Sequence, residues 1–571
     1  MAEVADVHTL DGTVDRKGNP AVKLSTGNWR SCLCILASGC MERLAYYGMS
    51  TNLVIFMTTR LGQANSTATN NVTNWTGTSY ITPLLGALLA DSYMGRFCTI
   101  ATFMIIYMAG LALLTVASSV KGLVPSCEKG VCNPTEGQTA AVFVALYLIA
   151  LGSGGMKPCT GPFGADQFDD NDEAEKRSKV SIFNWSFFCI NAGAMASIVL
   201  VYVQTHVGWG WGFGIPTMVM GISIVSFFIG TPLYRHQRPG GSPFTRIAQV
   251  LVASARKWSV AVPAAKSQLH ESPNAESGIQ GRRKLEHSDQ FRFLDKAAVV
   301  TAEDVTVASA WRLCTVTQVE ELKSVVRLLP ILASGIVFQT VCAQMSTMFV
   351  LQGNTMDQRM GPKFSIPPAA LIVTNSLSIV ILVPVYDRLI LPAVRSFTGR
   401  PGGFTQLQRM GIGLIISTFS MLAAGVLEVV RLRVVARHGL YGEKDVVPIS
   451  IFWQTPLCFI IGFAEVFTNV GLMEFFYDQA PDAMRSMCSA LSLTTAALGS
   501  YLSTVLVTIV TRITTRHGKL GWIPDNLNRG HLDYFYWLLA VISFLNFLVY
   551  LVIASWYKYK KTAQGDRNAE P

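Results

Sequence analysis

The residues of this 571-residue sequence that could do chemistry are ionisable side chains set inside apolar stretches. The run Gly39-Cys40-Met41-Glu42-Arg43-Leu44-Ala45-Tyr46-Tyr47-Gly48 carries an acid, a base and two phenols. Gly39, Glu42, Arg43, Tyr46 and Tyr47 recur at helical spacing and so share one face. Such a stripe cannot face lipid tails. Two readings follow: a binding and proton-handling surface, or a buried ion pair stapling helices together. A second basic group, Lys157, ends the run Gly152-Ser153-Gly154-Gly155-Met156-Lys157-Pro158. The spacing departs from a phosphate loop and no strand precedes it, whereas glycines in a membrane helix permit close packing. Lys157 is therefore expected as a partner of Glu42 or as a site for an anionic group. Glu465 lies mid-run in Gly462-Phe463-Ala464-Glu465-Val466-Phe467 with nothing in its own turn to neutralise it. A lone carboxylate at that depth carries a proton or awaits a cationic group. Glu474, nearer the end of the same run, is expected at the membrane interface.

The elements that must position these residues are membrane helices. Half of the residues are hydrophobic and only 14% are charged, well below the roughly 25% of soluble domains. The net charge of +10 does not indicate nucleic acid, because the bases lie between apolar blocks rather than along one face. About 20 apolar residues cross a bilayer. That ruler predicts helices at 31–57, 72–92, 98–118, 139–160, 181–204 and 211–231, then at 323–349, 367–388, 408–431, 449–474, 488–513 and 531–556. The expected fold is an all-α membrane protein with twelve transmembrane helices in two six-helix bundles, 31–231 and 323–556. A tail at 1–30, a linker at 232–322 and a tail at 557–571 complete it.

The first 30 residues are polar and lack the apolar core of a signal peptide, which predicts a cytosolic N-terminus. Six crossings then return the linker, with Arg235, Arg256, Lys257 and Arg282, to the cytosol, and twelve return Lys558, Lys560 and Lys561. Both placements satisfy the positive-inside preference. The sequons at Asn65, Asn71 and Asn74, candidate glycosylation sites, would fall in an outside loop between helices 1 and 2. Cys127 and Cys132 also fall outside, where a disulfide can form. The remaining cysteines sit mostly in apolar stretches and read as buried thiols, and no CxxC pair marks a metal site.

The six-plus-six layout is the plan of carriers built from repeated bundles. Asp91 and Arg96 follow helix 2, and Asp387 and Arg388 follow helix 8, the corresponding position. An acid beside a base there can gate neighbouring helix ends, or form a permanent structural pair. The glycine, serine and scattered charge of the linker predict a tether with a short amphipathic helix. No loop shows a nucleophile–base or metal constellation, so neither an enzyme nor a metal or organic cofactor is expected.

Several motifs resemble the plant nitrate and peptide transporter family, within the proton-coupled oligopeptide transporters of the major facilitator superfamily. They are Glu42-Arg43-Leu44-Ala45-Tyr46-Tyr47-Gly48, Lys157-Pro158-Cys159, Phe163-Gly164-Ala165-Asp166-Gln167-Phe168-Asp169, Phe183-Asn184-Trp185, Pro481-Asp482-Ala483-Met484-Arg485-Ser486 and Gly521-Trp522-Ile523-Pro524. The stretches Leu10–Asp15 and Gln344–Gly353 look most like the dipeptide and tripeptide carriers. The resemblance implies the major facilitator fold, with the proton as coupling ion handled by Glu42, Arg43 and Lys157, and Glu465 contacting a peptide amine. It also implies substrate contacts by Arg43, Tyr46, Tyr47 and Cys342, the last standing where the family's nitrate carrier has a histidine. Thr99 matches a position at which phosphorylation tunes affinity, and equally suits a plain helix-start threonine. One departure matters: the family pattern E-x-x-E-[RK] has Gly39 in place of its first acid, which puts strong proton coupling in doubt.

Three functions follow from these expectations: uptake of di- and tripeptides with protons, low-affinity nitrate transport, or a weakly coupled facilitator or sensor. The expected partners are a small solute and membrane lipid, not nucleic acid. The chain is expected as a monomer or weak homodimer, in the plasma membrane rather than the vacuolar membrane.

Overall fold

Backbone groups in lipid must be satisfied within their own segment, so apolar runs of this length can cross only as helices. In a computed structural model they do. The structure describes residues 8–560 except 10–11, 64, 121, 129–130, 170–171, 238–240, 264–267, 272–284, 302, 305–308, 361–365, 367, 400–402, 443–444, 517–519 and 525. The first half comprises α1 (Asn28–Ser50), α2 (Leu53–Thr59), α3 (Asn65–Leu89), α4 (Gly95–Ser119), α5 (Glu136–Ala165), α6 (Glu173–His206) and α7 (Trp209–Ile229). The linker contributes α8 (Pro243–Arg256). The second half comprises α9 (Val316–Cys342), α10 (Met348–Asn354), α11 (Ile372–Val385), α12 (Leu391–Thr398), α13 (Gln406–His438), α14 (Thr455–Asp478), α15 (Arg485–Thr514) and α16 (Leu532–Trp556).

Among the described residues, long helices thus stand on each side of the linker. Ten stretches among these residues are long and apolar enough to cross a membrane, and one of them, Asn74–Ser119 with 46 residues, takes in most of α3 and all of α4. The remaining long helix, α1, carries Glu42 and Arg43 and packs between α6 and α7. Glycines set the spacing inside the first bundle. A Cβ added to Gly152 would lie 2.5 Å from Tyr107 of α4, and one on Gly154 would lie 2.5 Å from Thr82 of α3. The glycine run before Lys157 is therefore a packing surface that brings three helices together.

Both halves contain a π turn: Ala90–Met94 after α3 and Tyr386–Ile390 after α11. Asp91 and Asp387 are each the second residue of their turn, so the repeat seen in the sequence is a repeat of backbone geometry as well. Gly95, with φ 73, reverses the chain after the first turn, a conformation that side-chain-bearing residues resist.

The main apolar core of the first half reaches into the linker at Tyr234, and two large cores and one small one lie in the second half. Another joins the halves, with Leu36, Phe183 and Phe187 packed among Ile379, Val383, Phe467 and Tyr477. It lies toward the end of the molecule that carries both termini, so the two bundles are sealed together there.

Several expectations need correction. The first 30 residues are not a free tail. Val14 pairs with His236 through backbone bonds of 3.0 and 2.8 Å. The fully buried Arg235 ties Glu175 (2.7 Å) to the carbonyl of Thr26 (2.9 Å). The linker carries the short amphipathic helix expected of it, α8, but that helix is packed rather than loose. The inner face of α8 packs Val250 and Ala253 against Leu294, Ala297, Val319 and Leu322. Burial raises the Asp304 carboxyl, but Lys257 at 2.8 Å and bonds from Thr301 outweigh it and hold the group below the usual range. His287, Asp295 and Glu320 converge in a way that could hold a metal ion. Lys323, however, lies 2.6 Å from Asp295 and 2.8 Å from Glu320 and already supplies the positive charge. The helix expected from 323 starts at Val316, capped by Thr315 and Gln318.

The sequons lie on a helix rather than a loop, because α3 begins at Asn65. Asn71 donates to Gln63 (3.0 Å) and Asn74 is exposed, while the Asn65 side chain lies outside the described residues. Cys127 and Cys132 face each other across the short hairpin Ser126–Glu128 and Val131–Asn133. Their side chains also lie outside the described residues, and with them the disulfide expectation.

Candidate functional site

The α1 stripe faces the interior. Glu42 is buried and its Oε2 lies 3.1 Å from Arg43 Nε, while its Oε1 has no hydrogen-bond partner. Lys157 was expected beside Glu42. Its ammonium instead stands 4.0 Å from the centre of the Tyr46 ring and 5.0 Å from that of Tyr80, with one long bond to the Ser79 carbonyl (3.4 Å). The cause is local packing. Tyr46 stacks on Trp75 at 5.6 Å, Trp75 is pinned by its indole N–H to the Leu146 carbonyl (2.7 Å), and the ring face so held is an electron-rich seat for a cation. Tyr47 meets Tyr46 edge-on at 5.5 Å. Gly39 leaves room below this cluster. A Cβ there would touch only Thr160, at 3.7 Å, and a cavity of ≈ 50 Å³ opens beside it.

Across the interface, α14 presents Glu465. Its one hydrogen bond to an amide is a long one, from Asn375 Nδ2 (3.5 Å), and it makes no ion pair among the described residues. The thiol of Cys342, at the end of α9, is within hydrogen-bonding reach of it. One turn further along the same helices, Gln339 donates to Asn469 (2.9 Å). Glu465 stands near enough to Tyr47 for its charge to act on the phenol.

The end that carries the termini is different in kind. Asp91 accepts from the backbone N–H groups of Ser486 (3.4 Å) and Met487 (2.9 Å) at the start of α15, and lies 3.8 Å from Arg96. Arg96 pairs with Asp166 and donates to Ser486 (2.9 Å). Asp166 also accepts from Tyr477 (2.8 Å) and lies 3.6 Å from Arg485. At the other π turn, Asp387 accepts from Ser181 (2.7 Å), Asn184 (3.2 Å) and the Trp185 indole (3.3 Å) of α6. Each π-turn acid is thus held by the opposite half.

Arg388 does not join this network, being exposed and without an ion pair among the described residues. Arg409 donates to Asn184 (2.7 Å) and lies 3.7 Å from Glu474. Glu474, near the end of α14, is buried, and Gln406 donates to it (3.1 Å). Thr99 is buried, its hydroxyl bonded to the Gly95 carbonyl (2.9 Å), which fits the helix-start reading in this conformation.

Sequence reasoning missed Tyr80, Gln339, Asn375, Asn469 and Arg409. Amides one turn from an ionisable residue, such as Asn469 after Glu465, were a signal within reach. Asp166, Asn184 and Arg485 lie in the motifs that carry the family resemblance, but their pairing, like that of Tyr477, comes from the opposite bundle.

Two bundles of membrane helices, sealed at one end and enclosing an incompletely neutralised charged cavity, define a transporter. The POT family model matches residues 97–523. Protein NRT1/ PTR FAMILY 8.1 of Arabidopsis thaliana is 61% identical over 564 residues, spanning 98% of this chain and 99% of that one. Protein NRT1/ PTR FAMILY 8.2 of the same plant is 59% identical over 98% and 99%. Among solved structures, an auto-inhibited POT family peptide transporter aligns over 94% of this chain and 99% of its own with a TM-score of 0.59 and 24% identity. The POT family transporter PepTSo aligns over 93% and 99%, with a TM-score of 0.60 and 23% identity. The chain belongs to the POT family and has the major facilitator fold of these transporters.

Proposed function

We propose that the protein carries di- and tripeptides together with protons by alternating access. The observation that supports this most is the division of charge at the cavity. Arg43 and Lys157 of the first half suit a peptide carboxylate, and Glu465 of the second half, without a cation, suits a peptide amine. A zwitterion that draws these groups together would pull the bundles toward each other, and binding would thereby be coupled to closure. Glu42, with one oxygen unbonded, is the group for the coupling proton. The lock formed by Asp91, Arg96, Asp166 and Arg485, with Asp387 opposite, is the gate on the side of the termini. We assign that side to the cytosol, in keeping with the basic linker and C-terminal tail, and the protein to the plasma membrane.

A second reading, low-affinity nitrate transport, is favoured by one observation: two cations and a single carboxylate on the α1 and α5 side. Oocyte current recordings at acidic pH, offering a dipeptide and then nitrate to the wild type and to Glu465→Gln, separate the two. Dipeptide currents that vanish in the variant are expected. Currents with nitrate but none with dipeptide would give the second reading its place.

A further inference from the structure

We propose that the cavity beside Gly39 binds one small monovalent inorganic anion, chloride or nitrate, as a resident counter-ion rather than as cargo. The proposal deepens the reading of Arg43 and Lys157 as the cationic part of the site and rests on it. The walls include Gly39, Arg43, Lys157, Thr160, Ser186 and Cys189, with Glu42 the only carboxylate among the lining residues. That carboxylate is engaged by Arg43 through Nε. The terminal guanidinium nitrogens of Arg43 make no hydrogen bond among the described residues, and Lys157 has ring faces and a distant carbonyl in place of a carboxylate. The Ser186 hydroxyl is likewise without a hydrogen bond among the described residues, which leaves a neutral donor on the wall.

With Lys157 protonated, two cations and one carboxylate line this space and one positive charge is left over, and an uncompensated buried charge costs several kcal/mol. A mobile anion removes that penalty. The cavity of ≈ 50 Å³ suits such an ion, since a single water needs only about 10–15 Å³ of such space. A peptide does not fit there. The anion would stand where a side-chain carboxylate at position 39 would otherwise reach.

The test uses the full-length protein in detergent. Its melting temperature is followed by intrinsic fluorescence while sodium chloride or sodium nitrate replaces sodium gluconate at constant ionic strength. A saturable rise of roughly 2–4 °C is expected with chloride and nitrate. Gly39→Glu should lose the rise, because its carboxylate fills the same space. Gly39→Ala, whose Cβ meets only Thr160 at 3.7 Å, should keep it. Binding of radiolabelled chloride to the wild type at one ion per chain, competed by nitrate, checks the site without relying on any variant. No rise above gluconate, no saturable chloride binding, or an unchanged response in Gly39→Glu would each overturn the proposal. A response to nitrate alone, with nitrate also carrying current, would make the anion cargo and refute the counter-ion role. None of these readouts depends on peptide uptake, so the peptide reading can fail while the anion site stands.

Discussion

Asp166 and Glu465 are both carboxylates in the space between the bundles, and their surroundings differ in one respect. Asp166 is saturated: Arg96, Tyr477 and Arg485 all converge on it, from both halves. Glu465 has one long amide contact and a neighbouring thiol. A buried charge with full compensation is a structural or switching element, and one with little compensation leaves room for a ligand to complete it. The same contrast holds among the cations. Arg235 is enclosed by Glu175 and the Thr26 carbonyl, whereas Lys157 rests on two aromatic faces. Incomplete compensation, more than charge alone, separates the central cavity from the lock.

Removing the charge of Glu465 is the sharpest way to break this comparison. Glu465→Gln should weaken peptide recognition by roughly 3–5 kcal/mol, an effect of about 100-fold or more, because a buried ammonium loses its acceptor. Nitrate uptake should be unchanged or improved. Parallel uptake on surface-verified protein checks both, and full dipeptide uptake in the variant would remove Glu465 from the site.

The saturated network should respond differently. Arg96→Ala leaves Asp91 and Asp166 short of a cation and should shift the population toward an opening on the side of the termini by roughly 10-fold. Labelling of the buried Cys32 by a membrane-impermeant maleimide applied from that side, in a background lacking the other cysteines, reads the change. Labelling at the wild-type rate would mean that Arg96 is a fixed staple and not a gate.

A smaller effect is expected at Gly39. Gly39→Glu places a second acid one turn before Arg43 and should raise pH-driven peptide accumulation severalfold. Unchanged accumulation and pH dependence would show that this position does not govern coupling. The smallest effect concerns the linker. Its packed part includes Glu271, which accepts from the Thr317 backbone and hydroxyl (both 2.9 Å) at the start of α9. A shortening should therefore spare Glu271 and fall within 272–284, where uptake should stay within about twofold of wild type. Loss of uptake in correctly inserted protein would give that stretch a role beyond connection.

The helical build on each side of the linker, the stripe on α1 and the isolation of Glu465 were legible in the sequence. Each depends on the local content of one segment: apolar length decides what can enter lipid, and a 3.6-residue period decides what shares a face. The repeat of Asp91 and Asp387 was legible for the same reason, since both occupy the same place in a local turn. The partners of these residues were not. Lys157 turned to Tyr46 and Tyr80, Arg388 stayed outside the network at Asp387, and Glu474 was buried by Gln406 and Arg409. The N-terminal stretch also folded onto Arg235 and His236, more than 200 positions away in the chain. Whether a charge is saturated depends on how many donors distant segments bring to it, a property of the packed molecule that no window of sequence contains. Local content thus determined what this protein is built from, and contacts between the bundles decided which of its charges hold the fold and which remain open to a solute.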